Sequence, residues 1–573
     1  MASARRRSLL AGAALTGLAA FLLLWRLDVP LLWQDEAETA NVAQNLLEQG
    51  YPTPWDGRHL VTQQGGRDAV RVGGRLLWAW HPWLQHYLAA AGLALAGHGA
   101  AAARLPFALA ALASVPLFFA WRRGRGPLAT AAVATAIYTL GPVFFLFSRQ
   151  SRYYALLLLG GVLAAWAYDS RSRGHDLATG AALALLFYAN PLSGLAFAAG
   201  LALHGALRWR RGEAALGPVL RSLALFALLA APWLALVAVS EVRPPPLSAA
   251  DLLGPLAAQL WRLQYALVPA VLWPPLVWLW WRARRDRGPD REGEERAGRR
   301  LAGELELLAL LAVVSWLAVA AQGPMGTVRY ALALWPLAAA ALAALWEALH
   351  RRTAAAGGAF LSVLLLTNVF PALPALPVTL ARWSAPAASF YDREAGPLDK
   401  LAYNGRLTAP LPRHLAQLAR RGCGPVAAVV ALGRALERPP RLVAADYGYE
   451  SFRFHLGVPA GEPGAQDAAR RRLGLPPLDW TEADLLVPRR GWPSDLGELE
   501  AERGLAAVDL GVPDDAYENL PDPYAHRYRP TPPGALPPLV VWVRRELIPE
   551  EGFGPLRAPG CAALPPPRLS PPG

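Results

Sequence analysis

The sequence predicts a polytopic α-helical membrane protein that carries an α/β domain near its C-terminal end. Hydrophobic residues make up 54% of the 573 residues and charged residues only 17%, and the mean hydropathy is +0.23. Most of the apolar residues are gathered in runs of the length that crosses a bilayer. From about residue 385 the charge increases, and short β-rich runs replace the long apolar ones. This change in character indicates a second domain of a different kind.

The formal net charge of +13 would suit a nucleic-acid partner, but the distribution of the arginines indicates a membrane instead. They lie between hydrophobic runs, where the positive-inside rule places basic residues. We therefore expect membrane lipids as partners and no nucleic acid. The two cysteines, Cys423 and Cys561, have no spacing typical of a metal-thiolate site. A disulfide between them and a free thiol both remain open.

The first apolar run, residues 9–25, follows Arg5, Arg6 and Arg7. A secretory signal peptide has the same pattern. The many later apolar runs favour a retained first helix whose arginines lie in the cytoplasm. The chain then leaves the membrane on the outer side near Asp28.

The segment 83–97 decides the predicted topology, because it is apolar but shorter than the roughly 20 residues that a spanning helix needs. If it crossed the membrane, the arginine-rich loops that follow would lie outside. If it lies along the outer interface or re-enters, all of these loops lie in the cytoplasm, so we predict an interfacial or re-entrant helix. About eleven spans follow from the usual span length, at 9–25, 105–121, 127–147, 153–168, 177–190, 192–207, 216–239, 262–281, 303–321, 331–349 and 358–377.

An odd number of spans places the C-terminus outside and assigns a side to each predicted domain. Residues 1–380 form the membrane domain, with a first outer loop at 28–104. Residues 385–552 form the outer α/β domain, and the Pro-rich residues 553–573 are expected to be disordered. Strands of the outer domain are predicted at 425–432, 441–447, 484–490, 506–512 and 539–547, and a helix at 413–422.

Charged and aromatic side chains of mixed type are gathered on the predicted outer face. They are Asp35, Glu36, Glu38, His81, Arg104, Arg152, Tyr153, Arg329 and Tyr330. The positive-inside rule disfavours arginines near the outer end of membrane helices, yet several occur there. They lie near acids and a histidine, which are also costly at membrane depth. The set suits transfer from a lipid-linked phosphate, with arginines on the phosphate, a carboxylate for the acceptor's proton and aromatic rings around the sugar. A divalent metal ion between carboxylate and phosphate is compatible with this chemistry but is not required.

Each of these residues also has a structural explanation. Asp35 as N-cap with Glu38 three residues later fits an acidic capping box, for a helix that ends at Gly50. The aromatic residues could be interfacial anchors, and Arg152 and Arg329 could extend to lipid phosphates. We assign Glu38 to the capping box and keep Asp35 as the catalytic candidate.

The order of these stretches resembles the membrane glycosyltransferases of the GT-C fold. It is most similar to bacterial relatives of the protein O-mannosyltransferases and of the aminoarabinose transferase that modifies lipid A. The matching residues are Asp35-Glu36, His81-Pro82-Trp83-Leu84, Gly99 with Arg104-Leu105-Pro106, Arg152-Tyr153, and Arg329-Tyr330 with Pro336. The resemblance extends over residues 1–350, and the C-terminal region is only loosely similar to the outer domains of some members.

The resemblance implies a GT-C fold, a sugar donor carried on a polyprenyl phosphate, and transfer on the outer face of a bacterial inner membrane. It implies catalytic roles for Asp35 and, as second choice, Glu36. The implied substrate-binding residues are His81, Arg104, Arg152, Tyr153, Arg329 and Tyr330. The sequence departs from the family at His81, which replaces a lysine, and at Asn190, where many members have a histidine-containing turn. The second departure leaves metal use open.

The sequence thus predicts an inverting glycosyltransferase that moves a hexose or pentose to a lipid, glycan or protein acceptor. The alternative is a transporter or flippase of a lipid-linked substrate. A transporter would carry polar residues through the depth of the bundle and often has pseudo-symmetric halves. The sequence instead has its polar residues mainly at one face, and we find no internal repeat.

Overall fold

We describe the fold from a computed structural model of the chain. The described residues are 2–569, except for 171, 239–248, 286–291, 322–327, 385–394, 420–423, 490–491, 493–495, 497–503, 516–519, 525, 527–535 and 558–565. Both cysteines, Cys423 and Cys561, lie outside the described residues.

The first two thirds of the described chain are helical. The helices are α1 (Ala2–Leu24), α2 (Gln34–Gln49), α3 (Leu84–Ala96), α4 (Ala100–Arg123), α5 (Leu128–Leu140), α6 (Pro142–Phe147), α7 (Tyr154–Asp169), α8 (His175–Ala189), α9 (Pro191–Arg210), α10 (Gly217–Ala238), α11 (Ala249–Ala266), α12 (Trp273–Arg285), α13 (Glu292–Ala320), α14 (Trp335–Arg352), α15 (Ala354–Leu366), α16 (Val369–Ala372) and α17 (Leu376–Ala381). A 3-10 helix, Val328–Leu334, leads directly into α14.

Length and hydropathy identify the membrane helices. Among the described residues, five helices are long and apolar enough to cross a membrane, or up to seven if two bent helix pairs each form one span. The bent pairs are α11 with α12, at 73°, and α15 with the helices that follow it, at 72°. The chain is therefore a polytopic helical membrane protein, as predicted. The count of about eleven spans stays a prediction, because helices such as α5 and α7 are apolar but shorter than 18 residues.

The predicted first outer loop contains α2, a hairpin of β1 (Ala69–Val72) and β2 (Arg75–Trp78), and α3. The predicted interfacial segment forms α3, whose 13 residues extend about 20 Å and are too few to cross a bilayer. It packs between α2 and α4. Contact with α4 is close at Gly92, where a Cβ atom would lie 2.2 Å from the Ala102 carbonyl oxygen. Only glycine fits there without displacing α4.

The C-terminal region is a mixed α/β domain. Its strands are β3 (Val443–Ala445), β4 (Ala460–Gly461), β5 (Leu485–Val487), β6 (Leu505–Pro513), β7 (Pro538–Arg544) and β8 (Arg568–Leu569), and its helices are α18 (Pro397–Asn404), α19 (Pro410–Ala419), α20 (Pro425–Ala435), α21 (Tyr449–Leu456) and α22 (Pro463–Leu473). The described strands form a sheet in the order β4-β3-β5-β7-β6-β8. β3 is parallel to β4 and β5, and the other pairs are antiparallel. β8 comes from the Pro-rich tail that was expected to be disordered.

One predicted strand of this domain is wrong. Residues 425–432 form the helix α20, whereas the other four predicted strands and the helix at 413–422 occur close to their predicted positions. Pro425 occupies the first turn of α20, where a helix tolerates proline. The residues Val426–Leu432 are all buried, and a continuous apolar run does not distinguish a buried helix from a buried strand by periodicity.

The two domains share their cores. Leu31, just before α2, packs in the core of the C-terminal domain. In the other direction, Phe454, Leu520 and Tyr524 of the C-terminal domain pack in the core of the membrane domain. The C-terminal domain is therefore packed directly on the segment that contains α2.

Candidate active site

Helix α2 positions the acidic residues, and it does so without a capping box. The N-cap of α2 is Trp33, and in the described structure this residue makes no side-chain capping hydrogen bond. Asp35 and Glu36 lie in the first turn of α2. The assignment of Glu38 to a capping box is therefore wrong, whereas the predicted end at Gly50 is correct, with φ at 79°. Because positions three apart share a helix face, Asp35 and Glu38 face the same side.

Asp35 lies between two arginines. Its side chain is 11% exposed and forms an ion pair with Arg329. The hydroxyl of Tyr154 donates to Asp35 Oδ2 at 3.4 Å and accepts from Arg329 Nη1 at 2.8 Å. Arg152 Nη1 donates to the Asp35 backbone carbonyl at 2.9 Å. The Asp35 carboxylate is thus held by groups from two separate parts of the chain, Tyr154 and Arg329, and Arg152 holds its backbone.

Arg152 connects Asp35 to the other polar residues of the site. It is 3% exposed and forms a buried ion pair with Glu38. Its Nη1 also donates to Thr39 Oγ1 at 3.0 Å. Its Nη2 lies 3.0 Å from His81 Nε2, and because a guanidinium can only donate, this histidine nitrogen accepts. Arg152 is directed inward to these residues and does not extend to lipid phosphates.

Aromatic rings form one wall of this cluster. The ring of Tyr153 meets the His81 ring edge-on, with centroids 5.5 Å apart, and lies 5.7 Å from the Arg152 guanidinium. Tyr330 is half-buried beside Arg329, and its carbonyl accepts from Ser193 Oγ at 2.6 Å. The structure therefore brings Asp35, His81, Arg152, Tyr153, Arg329 and Tyr330 into one neighbourhood.

Glu36 and Arg104 lie beside this cluster as a separate buried pair. Arg104 Nε and Nη2 each donate to the Glu36 carboxylate at 2.7 Å, and the Ser151 backbone N–H donates to it at 2.8 Å. Arg104 Nη1 donates to the carbonyls of Leu27 at 3.0 Å and Pro30 at 2.7 Å. Such a bidentate pair orients the chain between α1 and α2. These contacts occupy both Glu36 and Arg104 with protein groups.

The three segments that carry the site meet because helices α2, α7 and α14 begin at the same end of the bundle. Arg152 precedes α7, and Arg329 lies in the 3-10 helix before α14. The two segments approach closely at Gly161, where a Cβ atom would lie 2.3 Å from the Ala333 carbonyl oxygen. Glycine at this position therefore permits the contact that places Arg329 beside Tyr154.

Four further residues belong to this neighbourhood, and sequence reasoning did not select them as site residues. They are Glu38, Tyr154, Glu450 and Asp522. The three-residue spacing from Asp35 could have identified Glu38 as a second acid on the same helix face. Tyr154, which follows Tyr153 directly, lies in the first turn of α7 and donates a hydrogen bond to Asp35. Glu450 and Asp522 come from the C-terminal domain, and no local sequence pattern connects them to α2.

The charges of the cluster set the protonation of its members. Burial would raise the pKa of Asp35, but Arg329 and Arg152 outweigh this effect and hold the pKa below its ordinary value. Burial raises the pKa of Glu38 to about 7 in spite of Arg152. Burial and the charge of Arg152 lower the pKa of His81 well below its ordinary value, so His81 is neutral. A neutral ring agrees with a nitrogen that accepts from Arg152.

The described residues contain no group of three or more His, Cys, Asp or Glu side chains that could hold a metal ion. Asn190, where the family places a histidine-containing turn, instead caps α9 by accepting from the Ser193 backbone N–H at 3.1 Å. Metal use by this chain stays open.

Comparison with known proteins identifies the fold. Two crystal structures of ArnT from Cupriavidus metallidurans are similar to this chain over 94% of its length and 99% of theirs. The apo structure has a TM-score of 0.55 at 15% identity, and the structure bound to undecaprenyl phosphate has 0.52 at 14% identity. The archaeal oligosaccharyltransferase AglB from Archaeoglobus fulgidus matches 88% of this chain and 73% of its own, at 11% identity, with a TM-score of 0.38 that supports no inference.

No protein-family model matches the sequence, and no curated protein matches it. The structural likeness to ArnT nevertheless covers both domains of this chain. The chain therefore has the GT-C type of fold that the order of its motifs implied. At 14–15% identity this likeness establishes the fold and leaves the reaction to be argued from the site.

Proposed function

We propose that this chain is an inverting glycosyltransferase of a bacterial inner membrane. It takes a sugar from a polyprenyl-phosphate donor and transfers it to a lipid, glycan or protein acceptor on the outer face. The observation that carries the proposal is the position of Asp35, buried at the start of α2 between Arg152 and Arg329. The ArnT structure of the same fold with bound undecaprenyl phosphate supports a donor of this class.

The residues would divide the work according to their charges. The acceptor oxygen attacks the anomeric carbon of the sugar, and the bond from that carbon to the phosphate oxygen breaks. The polyprenyl phosphate leaves with the bonding electrons, and Arg152 and Arg329 stabilise its negative charge. The proton of the acceptor hydroxyl, which becomes acidic as the new bond forms, passes to Asp35. A single displacement of this kind inverts the configuration at the anomeric carbon.

Asp35 has the role of the catalytic carboxylate in this scheme. The positive end of α2 and the two arginines keep it ionised, so it can accept a hydrogen bond from the acceptor hydroxyl. A carboxylate of low pKa is a weak base, and its main effect is to orient the acceptor and stabilise the positive charge that develops. His81 and Tyr153 line the site, and Tyr330 borders it.

Glu36 and Arg104 take a structural role in this proposal. Both were candidates for direct contact with substrate, but their charged groups bind each other and the backbone before α2. A phosphate would have to displace a bidentate buried partner to bind Arg104. Arg152 and Arg329 are also ion-paired, with Glu38 and Asp35, so a phosphate would share them with these carboxylates; they are the candidates because they lie at the carboxylate that the reaction needs.

The location of the site favours transfer over transport. Asp35 is in the first turn of α2, Arg152 is in the loop before α7, and Arg329 is in the 3-10 helix before α14. The charged residues therefore cluster where helices begin at one face. A transporter would need them near the middle of the bilayer. We further propose that the N-terminus is cytoplasmic and that the C-terminal domain lies outside, as the arginine distribution predicts.

The test is the Asp35→Asn variant, assayed in detergent with a panel of polyprenyl-phosphate sugars and membrane extracts as acceptor. We expect loss of transfer with unchanged expression and thermal stability. Asp28→Asn is the matched control, because Asp28 is an exposed carboxylate seven residues earlier in the same segment. The control should retain turnover. Near-normal turnover by Asp35→Asn would show that another group carries the reaction.

A further inference from the structure

The C-terminal domain inserts one short segment, Leu520–Tyr524, into the membrane domain. Leu520 and Tyr524 are buried in the core that is built mainly from membrane helices. The Tyr524 carbonyl accepts a hydrogen bond from Asn404 Nδ2, and its ring lies 5.6 Å from the Arg262 guanidinium of α11. These contacts fix the segment between α11 and α18.

Asp522 lies in the middle of this segment and has an unusual environment. Asp522 is 1% exposed, and neither carboxylate oxygen has a hydrogen bond of normal geometry among the described residues, although the side chain of Tyr524 interacts with the carboxylate. Arg329, Arg262 and Asp35 are near enough to Asp522 to act on it electrostatically. Buried carboxylate oxygens without donors are costly, and each such group in a folded protein requires an explanation.

The missing partner must donate hydrogen bonds, because an ionised carboxylate can only accept them. A phosphate is excluded by its like charge. A metal ion would need further ligands, and the described residues offer no group of three acidic, histidine or cysteine side chains for it. Neighbouring hydroxyl groups of a sugar are donors of the right kind, and one carboxylate can accept from two of them.

We propose that Asp522 binds hydroxyl groups of the sugar that the donor lipid carries. The inference rests on the proposed function and extends it, because it assigns sugar recognition to the C-terminal domain. The arginines of the membrane domain then bind the phosphate, and a residue of the appended domain selects the sugar. The substrate class that this arrangement fits is a lipid phosphate whose sugar has at least two free adjacent hydroxyls.

The experiment compares donors with and without a sugar. Undecaprenyl phosphate alone and undecaprenyl phosphates carrying mannose, galactose or arabinose are titrated against the full chain and against Asp522→Asn. We expect the variant to bind undecaprenyl phosphate within about two-fold of the wild type. The best sugar-bearing donor should bind about 10-fold to 100-fold more weakly, the usual effect of losing a hydrogen bond to a charged group.

A deoxy donor makes the test specific. When the hydroxyl that contacts Asp522 is absent from the best donor, wild type and Asp522→Asn should bind that donor equally, as in a double-mutant cycle. Equal weakening of undecaprenyl phosphate and of the sugar-bearing donor would overturn the proposal. Unchanged binding of every donor would overturn it as well.

Two controls separate folding and function from recognition. Asp484→Asn disturbs a buried carboxylate that pairs with Arg438, Arg441 and Arg544 at the sheet of the same domain. If this variant shows the same sugar-selective loss, the effect comes from a loosened domain and the proposal fails. If Asp522→Asn does not fold, Asp522→Glu takes its place, since it keeps the charge and moves the oxygens. Failure of the wild type to bind or transfer any of the sugars would refute the proposed function itself.

Discussion

A substitution in the buried pair of Glu36 and Arg104 should lower the stability of the protein while transfer activity is kept, which distinguishes a structural role from a catalytic one. Replacing Glu36 by Gln keeps the shape but removes the charge and one of the two acceptors that face Arg104. The Arg104 guanidinium is 2% exposed, so it would be left buried without a compensating charge. Breaking one half of a buried pair in this way costs about 3–5 kcal/mol.

The magnitude agrees with the hydrogen bonds that Glu36 accepts. It accepts two from Arg104 at 2.7 Å and one from the Ser151 backbone N–H at 2.8 Å. Hydrogen bonds to charged groups contribute about 1.5–3 kcal/mol each, and Gln can retain one acceptor of this set. Glu36 Oε1 accepts two of the three bonds, so a Gln oxygen at that position loses one charged bond, about 1.5–3 kcal/mol, and the Gln amide NH2 then faces Arg104. Together these effects approach the roughly 3–5 kcal/mol expected for a broken buried pair.

The assay is thermal unfolding in detergent, with transfer activity measured on the same preparations below the melting temperature. Glu36→Gln should melt well below the wild type and keep measurable transfer while it is folded. Glu48→Gln is the matched control on the same helix, because Glu48 is exposed, and it should leave the melting temperature almost unchanged. A Glu36→Gln protein as stable as wild type but inactive would refute the structural role of Glu36.

Two further predictions concern the packing and the protonation of the site. Gly161→Ala should lower activity and stability together, because its Cβ would lie 2.3 Å from the Ala333 carbonyl oxygen and displace the segment that holds Arg329. Gly358→Ala is the control and should lower neither, because a Cβ at Gly358 meets open space. A fully active and stable Gly161→Ala protein would contradict the close contact. Burial raises the pKa of Glu38 from 4.5 in the unfolded chain to about 7 in the folded chain. Between about pH 5 and pH 7 the folded state therefore binds more protons at Glu38 than the unfolded state does, and the contribution of Glu38 to the free energy of unfolding falls as the pH rises. Glu38→Gln should remove this contribution, which is at most about 3 kcal/mol, and melting temperatures of wild type and variant that change in parallel between pH 5 and pH 8 would disprove it.

The sequence was sufficient for the class of a polytopic helical membrane protein, and it selected several residues that the structure places close together; their roles stay predictions. Long apolar runs and the arginine distribution identified the membrane domain, and the short segment 83–97 proved to be the separate helix α3. Asp35, Arg152 and Arg329 were recognised because charge at the ends of apolar runs is costly and therefore informative.

The partners of the acids could not be chosen from the sequence. Glu36 and Glu38 are two positions apart on α2, so they face different sides of the helix. Arg104 and Arg152 carry the same charged group, so the sequence does not show which arginine pairs with which acid. The structure pairs Glu36 with Arg104 and Glu38 with Arg152 because α4 and the loop before α7 approach α2 from different directions. That information lies in tertiary packing, as does the arrival of Asp522 from a segment almost 500 residues after Asp35.

Helix α2, which carries Asp35, lies between the two domains, so under the proposed function the position of this carboxylate depends on both. On the side of the membrane domain, α2 is held by the arginines that bind Glu36 and Glu38. On the other side it packs against α21, where Asn41 Nδ2 donates to the Glu450 carbonyl at 2.9 Å and Arg453 donates to Asn45 Oδ1 at 3.0 Å.

Ion pairs with one domain alone would leave α2 free to tilt away from that domain, because a salt bridge tolerates changes of direction more readily than close packing does. Hydrogen bonds between α21 and the middle of α2 restrict that motion. A carboxylate contributes to transfer only when it stays within a fraction of an ångström of its productive position. The C-terminal domain therefore acts on the reaction in two ways under the proposed function: through Asp522, which binds the sugar, and through α21, which holds the helix that presents Asp35.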